Sequence, residues 1–348
     1  MMGLQGAELT QDEHRILKDY PFGGVILFRQ NLIEPKQIQA LCRSLWEKCP
    51  ALPPFIAVDH EGGRVHHLPA PFTHFPSAAL IGKTESPEIA YAVGLASARE
   101  LSSLGINLNF APVLDVNSNP RNPVIGDRAL SSDPAEAAKL GWCMVQGLRA
   151  GGIIPCCKHF PGHGDTSADS HRELPVVRKK LSALQIMELH PFIEACRNGI
   201  DALMTGHVLY PALDKKYPAT LSHSIITRLL RRQLKYEGVV FGDDLEMKAL
   251  TDNYDLEEIP LLALNAGVDV LMFCRLAKRA IQAFDVLLKE GETDERTSRT
   301  IAESFGRLER LKKSRLKEFP AIDPNKLLDL RPHSSLVSEI KKHSGQET

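Results

Sequence analysis

Apolar residues along this chain come in two rhythms. Short unbroken or alternating runs occupy residues 22–28, 55–58, 106–110, 153–157, 201–205, 238–241 and 268–273. The run at 153–157, bounded by Gly-Gly before it and a Pro-Gly step soon after, reads as a buried strand feeding a polar loop, and the others read as strands too. Between them apolar positions recur every three to four residues. In residues 34–48, Ile38, Leu41, Cys42, Leu45 and Trp46 share one face. The same spacing predicts helices over 9–20, 88–104, 133–150, 182–198, 223–235 and about 256–265. Several carry end signals: Asp133 before Pro134 is a sound start, Ser222 caps another helix, and Gly105 and Gly151-Gly152 close two more.

Strands alternating with helices specify a parallel α/β architecture. Asp59, Asp115, Lys158-His159, His207 and Asp243 fall at or just beyond the C-terminal ends of strand runs. Reactive groups gathered round one rim predict a (β/α)8 TIM-type barrel, whereas an open doubly wound sheet collects them at one switch point. Seven runs are visible, and the eighth strand is expected to be short, or to lie within 60–82 or after residue 273. From Ala277 onward the chain reads as helical and charged. No repeat, low-complexity tract or linker divides it, so residues 1–348 are expected to form one barrel domain, with a charged helical tail from about residue 295 packed on the barrel or on a partner.

Composition narrows the class. With 348 residues and 43% hydrophobic content the chain can bury a large core. A net charge of −1 leaves no field to collect nucleic acid or acidic lipid. Seven cysteines, some inside apolar runs and none at metal-binding spacing, suit a reducing compartment. The first residues hold no basic patch followed by an apolar core, and no segment approaches a membrane span, so a soluble cytoplasmic protein is expected. No cofactor and no metal are expected.

The chemistry concentrates in residues 158–171, Lys-His-Phe-Pro-Gly-His-Gly-Asp-Thr-Ser-Ala-Asp-Ser-His. Loops are polar in general, and a lone histidine is usually a surface or core group. Three His, two Asp and a Lys in one loop after a strand mark an active site instead. Gly162 and Gly164 read as hinges that let the loop close over a ligand.

With this loop, the segments Val58-Asp-His-Glu-Gly-Gly-Arg64, Asn109-Phe-Ala-Pro-Val-Leu-Asp115, Gly126-Asp-Arg128, Pro218-Ala-Thr-Leu-Ser222 and Gly238-Val-Val-Phe-Gly-Asp-Asp-Leu245 occur in order. Together they resemble the single-domain β-N-acetylglucosaminidases of glycoside hydrolase family 3, over roughly residues 20–275. The resemblance implies a (β/α)8 barrel and a retaining hydrolase that removes terminal non-reducing β-linked N-acetylglucosamine through a covalent glycosyl-aspartate. It implies Asp243 as nucleophile, His171 paired with Asp169 as acid/base, and Asp59, Arg128, Lys158 and His159 as groups holding the sugar hydroxyls. The partner implied is a small-molecule carbohydrate, and with the absence of an export signal the setting is turnover of cell-wall peptidoglycan fragments. Two departures are Gly242, where relatives often carry Ser, and His60, often Gln.

The residues make chemical sense of those roles. Retaining hydrolysis needs a carboxylate to attack the anomeric carbon and a proton donor for the leaving oxygen. A histidine, with an ordinary pKa of about 6.5, gives and takes a proton near neutral pH, and Asp169 stands close enough to orient its ring. Asp243 comes first after its strand and should reach the barrel mouth, while Asp244 reads as an anchor for nearby backbone or for a group behind the site, or as the N-cap of the next helix. Glu61 and Arg64 read as a structural pair holding the Gly62-Gly63 turn. Two other readings compete. A metal-dependent hydrolase of the same barrel class is disfavoured because neither His-x-His after the first strand nor His-Glu-x-x-His occurs. A non-catalytic sugar-binding barrel would have no use for Asp243 and His171 together.

Overall fold

The computed structural model describes residues 1–48, 52–320 and 328–345. Eight parallel strands form one sheet in chain order: β1 (Met2–Gly3), β2 (Gly24–Leu27), β3 (Phe55–Val58), β4 (Leu108–Asn109), β5 (Ile154–Phe160), β6 (Ala202–Thr205), β7 (Val239–Asp244) and β8 (Val270–Met272). Met2 pairs with Phe273, and the Gly3 N–H donates to the Phe273 carbonyl at 3.0 Å, so the two edges meet and the sheet closes into a barrel. The seven apolar runs each supply a strand. The eighth is short, one of the expected alternatives, and lies neither in 60–82 nor after residue 273 but at Met2–Gly3. Two residues make no readable run, and this pair is a strand only because it completes the hydrogen bonding of β2 and β8. A Cβ on Gly3 would stand 2.0 Å from the Cys274 carbonyl oxygen, so the closure needs glycine there.

Alternation along the strands sorts core from shell. Phe55 and Ala57, Ile154 and Cys156, and Val239 and Phe241 join the cluster that fills the barrel, while Ile56, Val58, Cys157 and Val240 join the one beneath the outer helices. Two residues beyond the last inward apolar position on β3, β5 and β7 stand Asp59, Lys158 and Asp243. The strand period therefore delivers these three groups to the C-terminal mouth.

Most helices sit where periodicity put them. Thr10 caps Gln11–Asp19 in a reciprocal pairing with Glu13, and the Asp133 carboxylate accepts the Glu136 N–H at 2.9 Å ahead of Pro134–Ala150. The helix expected over 182–198 is broken into Leu181–Ile186 and His190–Arg197. Pro191 has no N–H to continue the ladder, and the fully buried Glu188 between the pieces turns inward to Lys179 and Ser118. Ser224–Gln233 is wound with wide π-type hydrogen bonding.

The charged tail packs on the barrel. Glu295–Arg315 crosses the N-terminal end of the strands, where Leu311 and Leu316 extend the interior cluster and Lys312 donates to the Gly23 carbonyl at 2.7 Å. Arg307 pairs with Asp269 at 2.9 Å and Arg315 with Asp201 at 2.9 Å. A last helix, Arg331–His343, lies on Pro87–Ser102, with the His333 Nδ1 2.6 Å from Glu100. Among the described residues no helix is long and apolar enough to cross a membrane.

Candidate active site

The C-terminal mouth of the barrel opens on a cleft of about 720 Å³, and Asp59, Arg128, Lys158, His159, His171 and Asp243 all line it. Asp169 stands behind His171. On the β3 to β5 side the charges interlock. The Lys158 ammonium lies 2.5 Å from Asp59 and 2.6 Å from Glu61. Arg128 places both Nε and Nη2 on the Glu61 carboxylate at 2.8 Å and donates from Nη1 to the Val124 carbonyl at 3.2 Å. Glu61 is thus partnered with Arg128 and Lys158, not with Arg64 as expected. Arg64 instead pairs with Asp127 at 3.1 Å. Burial works against the Glu61 charge, yet Arg128 and Lys158 outweigh it and hold the carboxyl well below the usual range. Burial likewise disfavours the Lys158 ammonium, and Asp59 and Glu61 reverse that and raise it. Glu61, Arg128 and Lys158 therefore stay ionised, and with the Asp59 side chain they form a fixed row of acceptors and donors for hydroxyl groups.

The next layer is organised by Asp115, which is fully buried. It accepts from the His159 backbone N–H at 3.2 Å, the His163 N–H at 2.6 Å and the His159 ring Nδ1 at 2.7 Å. Burial would raise the Asp115 pKa, but the two histidines pull it down. An ionised acceptor at Nδ1 means that nitrogen carries the proton, leaving Nε2 as the other ring position of His159.

Asp243 is half-buried at the end of β7, where its Oδ1 accepts the Asp244 N–H at 2.8 Å. Burial raises its pKa, but His207, His159 and Lys158, with that hydrogen bond, bring it below the ordinary value, so the carboxylate is ionised at neutral pH. Asp244 faces the other way. Its Oδ1 accepts the N–H groups of Glu246 at 3.1 Å and Cys274 at 3.2 Å, and burial pushes its pKa up to about 6. This is the backbone anchor read from the sequence.

The His171 ring Nδ1 lies 2.8 Å from Asp169 Oδ1, which also accepts the His171 backbone N–H at 2.9 Å. Partial burial raises the Asp169 pKa, and the two bonds from His171 more than offset it. The imidazole is therefore oriented by a carboxylate on one nitrogen and left with Nε2 on the other. Between the two, Ser170 is buried: its hydroxyl meets His163 Nε2 at 3.2 Å and its carbonyl accepts the Ala249 N–H at 3.2 Å. His163 is itself fully buried, which pushes its pKa down to about 4, and its Nδ1 meets Thr166 at 2.9 Å. It is a neutral peg for the loop. Asp165 is taken up by Lys179 at 3.1 Å.

The loop glycines, expected as hinges, are closely packed in this conformation. A Cβ on Gly164 would lie 1.6 Å from the Val116 carbonyl oxygen, and Gly162, at φ +128°, packs against Glu188. Both permit close backbone approach. Asn122 reinforces this half of the loop, donating to the carbonyls of His163 at 2.8 Å and Gly164 at 2.9 Å. Any pivot lies beyond Thr166, where Ser167 and residues 171–173 are exposed. In the sequence, Asp115 is placed on the rim by its position at a strand end but has no assigned role, Glu61 reads only as a structural residue of its turn, and Asn122 carries no signal of its own.

The two departures from the family pattern are accommodated. A Cβ on Gly242 would come no nearer than 3.4 Å to Thr220, so a serine-sized residue fits. His60 is buried against His66, with ring centroids 4.8 Å apart, and burial holds its pKa down at about 3. It is a neutral packing group. Among the described residues no three His, Cys, Asp or Glu side chains are grouped as a metal site.

A (β/α)8 barrel that sets an ionised aspartate, a carboxylate-bound exposed histidine and a row of hydroxyl-binding charges on one rim has the layout of a glycoside hydrolase. Residues 2–311 match the glycosyl hydrolase family 3 N terminal domain, and the chain belongs to that family. A β-hexosaminidase of Idiomarina loihiensis is 36% identical over 321 residues, which cover 90% of this chain and 96% of the relative. The structure of a glycoside hydrolase family 3 β-N-acetylglucosaminidase from Paenibacillus sp. str. FPU-7 superposes with a TM-score of 0.94 at 38% identity, covering 99% of this chain and 67% of that one. NagZ from Neisseria gonorrhoeae, in complex with N-trifluoroacetyl-D-glucosamine, gives a TM-score of 0.78 at 28% identity, covering 99% and 97%.

Proposed function

We propose that this chain is a retaining β-N-acetylglucosaminidase that removes terminal non-reducing β-linked N-acetylglucosamine through a glycosyl-aspartate. The observation that carries the reading is the pairing, in one cleft, of the ionised Asp243 with a histidine whose Nδ1 is held by Asp169. Asp243 attacks the anomeric carbon while the His171 imidazolium gives its proton to the departing oxygen. The neutral imidazole then takes a proton from the water that attacks the glycosyl ester, and Asp243 leaves. Asp169 fixes the ring tautomer and supports the imidazolium.

Asp59 and Lys158 offer an acceptor and a donor to neighbouring hydroxyls, and His159 adds Nε2. Arg128, its fork spent on Glu61, keeps that array rigid and presents its outer N–H groups. The names of the relatives support the 2-acetamido sugar, and cell-wall fragments handled in the cytoplasm are the substrates proposed. A panel of aryl 2-acetamido and 2-hydroxy β-glycosides, each with and without phosphate, tests the reading. Release from the 2-acetamido sugar with net retention in the first-formed product, unaffected by phosphate, is expected. Preference for the 2-hydroxy sugar, or glycosyl phosphate as product, contradicts it.

A further inference from the structure

Four lysine or arginine side chains line the cleft: Arg64, Arg128, Lys158 and Arg275. Three already have a carboxylate of the protein as counter-charge, Arg64 in Asp127, Arg128 in Glu61, and Lys158 in Asp59 and Glu61. Arg275 is exposed, and no carboxylate of a described residue stands within 4.0 Å of its guanidinium. Its backbone, in contrast, is held. Glu246 accepts the N–H groups of Arg275 at 2.7 Å and Leu276 at 3.2 Å, and Asp244 accepts that of Cys274 at 3.2 Å. Both acceptors lie within three residues of Asp243, so the end of β7 and the turn after it fix the root of this side chain relative to the nucleophile.

Its place on the rim gives the guanidinium a direction of use. In a barrel ordered as the chain, the end of β8 adjoins β7 and lies across from β3 to β5. The hydroxyl-binding groups stand on β3 and β5 and Asp243 on β7, so a sugar held by its hydroxyls presents its anomeric carbon, and beyond it the leaving group, toward β8. Arg275 also walls a second hollow of about 610 Å³ on its far side, which leaves room around the guanidinium. We propose that Arg275 is a specificity-determining residue that receives a carboxylate on the aglycone, so that the preferred substrates are β-N-acetylglucosaminides of acidic sugars. The inference rests on the activity proposed above. A planar fork matches a carboxylate with two parallel hydrogen bonds, whereas a neutral aglycone leaves the cation to water.

The test compares two β-N-acetylglucosaminyl disaccharides, one with a uronic acid as reducing sugar and one with its methyl ester, with a neutral aryl β-N-acetylglucosaminide alongside. The wild type should favour the acid in kcat/KM by about five- to tenfold, a margin suited to a solvent-exposed pair with good geometry, and added salt should erode it. Arg275→Gln should bring the acid-to-ester ratio to about one, and Arg275→Lys should keep part of it, as a point charge without the fork. A wild-type ratio near one, a ratio unchanged in Arg275→Gln, or an equal loss on both disaccharides overturns the assignment. The aryl substrate separates the two levels. If it is cleaved and the acid is not preferred, only the role of Arg275 falls; if it is not cleaved, the activity falls and the Arg275 assignment with it.

Discussion

Asp243 and Asp244 are neighbours with opposite environments, and strand parity is the cause. Asp243 continues the inward series Val239, Phe241 and stays ionised in the cleft, whereas Asp244 turns to backbone N–H groups and holds its proton up to about pH 6. Asp243→Asn should fold normally and lose nearly all turnover on every substrate, and Asp244→Asn should be milder, as kinetics on an aryl glycoside will show. Stability adds a sign. The folded-state pKa of Asp244 lies above its unfolded value of about 3.9, so folding takes up a proton between the two and the carboxyl form weakens as pH rises. Wild type should therefore lose stability relative to Asp244→Asn as pH rises from about 4 through 6, read by urea unfolding. Glu61 has the opposite sign. Its depressed pKa makes its contribution fully present above the unfolded value of about 4.3, to be lost only far into acid. Glu61→Gln leaves Arg128 and Lys158 short of a buried partner and should cost about 3–5 kcal/mol, equally at pH 7 and pH 5. A loss under about 1 kcal/mol would mean that the row of charges reorganises without it.

At the scale of elements, the sequence displays what is local and hides what is assembled. Seven strands and most helix ends are readable because runs, periods and caps lie within a few residues. The Asp169 to His171 contact is readable for the same reason. Glu61 and Arg128 are 67 residues apart, on different loops, and meet only when the barrel closes. That is why Arg64, three residues away, looked like the partner. The strand Met2–Gly3 is equally invisible, because its identity lies in the edges it joins. The break before His190 was marked by Pro191, but the helical spacing on both sides masked it. The glycines of the active-site loop show how one residue type serves two ends, since beside the expected role as hinges they let the first half of the loop pack closely against Val116 and Glu188. Bound sugar should therefore slow amide exchange over residues 167–173 and leave 161–166 unchanged. Equal protection along the whole loop would put the pivot back at Gly162.

For the molecule as a whole, the barrel divides its labour between two ends. The mouth holds ionised groups whose mutual pairing makes them usable, and the base is sealed by Glu295–Arg315. Asp269 is the clasp of that seal: it is buried, accepts from Arg231 at 2.6 Å and Arg307 at 2.9 Å, and takes the Val240 N–H at 2.8 Å. Asp269→Asn should cost about 3–5 kcal/mol in urea unfolding, since two guanidinium groups lose their counter-charge together, with kcat of the folded fraction unchanged. A large fall in kcat with stability intact would mean that the two ends are coupled.

The central claim is that His171, held by Asp169, protonates the departing oxygen while Asp243 attacks. Its most direct test is the pre-steady-state glycosylation rate against leaving-group pKa for wild type, His171→Ala, Asp169→Asn and Asp243→Asn. General acid catalysis contributes on the order of a hundred- to ten-thousand-fold, and a good leaving group needs little of it. His171→Ala should keep much of its rate on a nitrophenyl glycoside and lose most of it on a disaccharide, Asp169→Asn should follow more weakly, and Asp243→Asn should lose rate on both alike. A His171→Ala slope no steeper than that of wild type would contradict the account and remove His171 from the acid role.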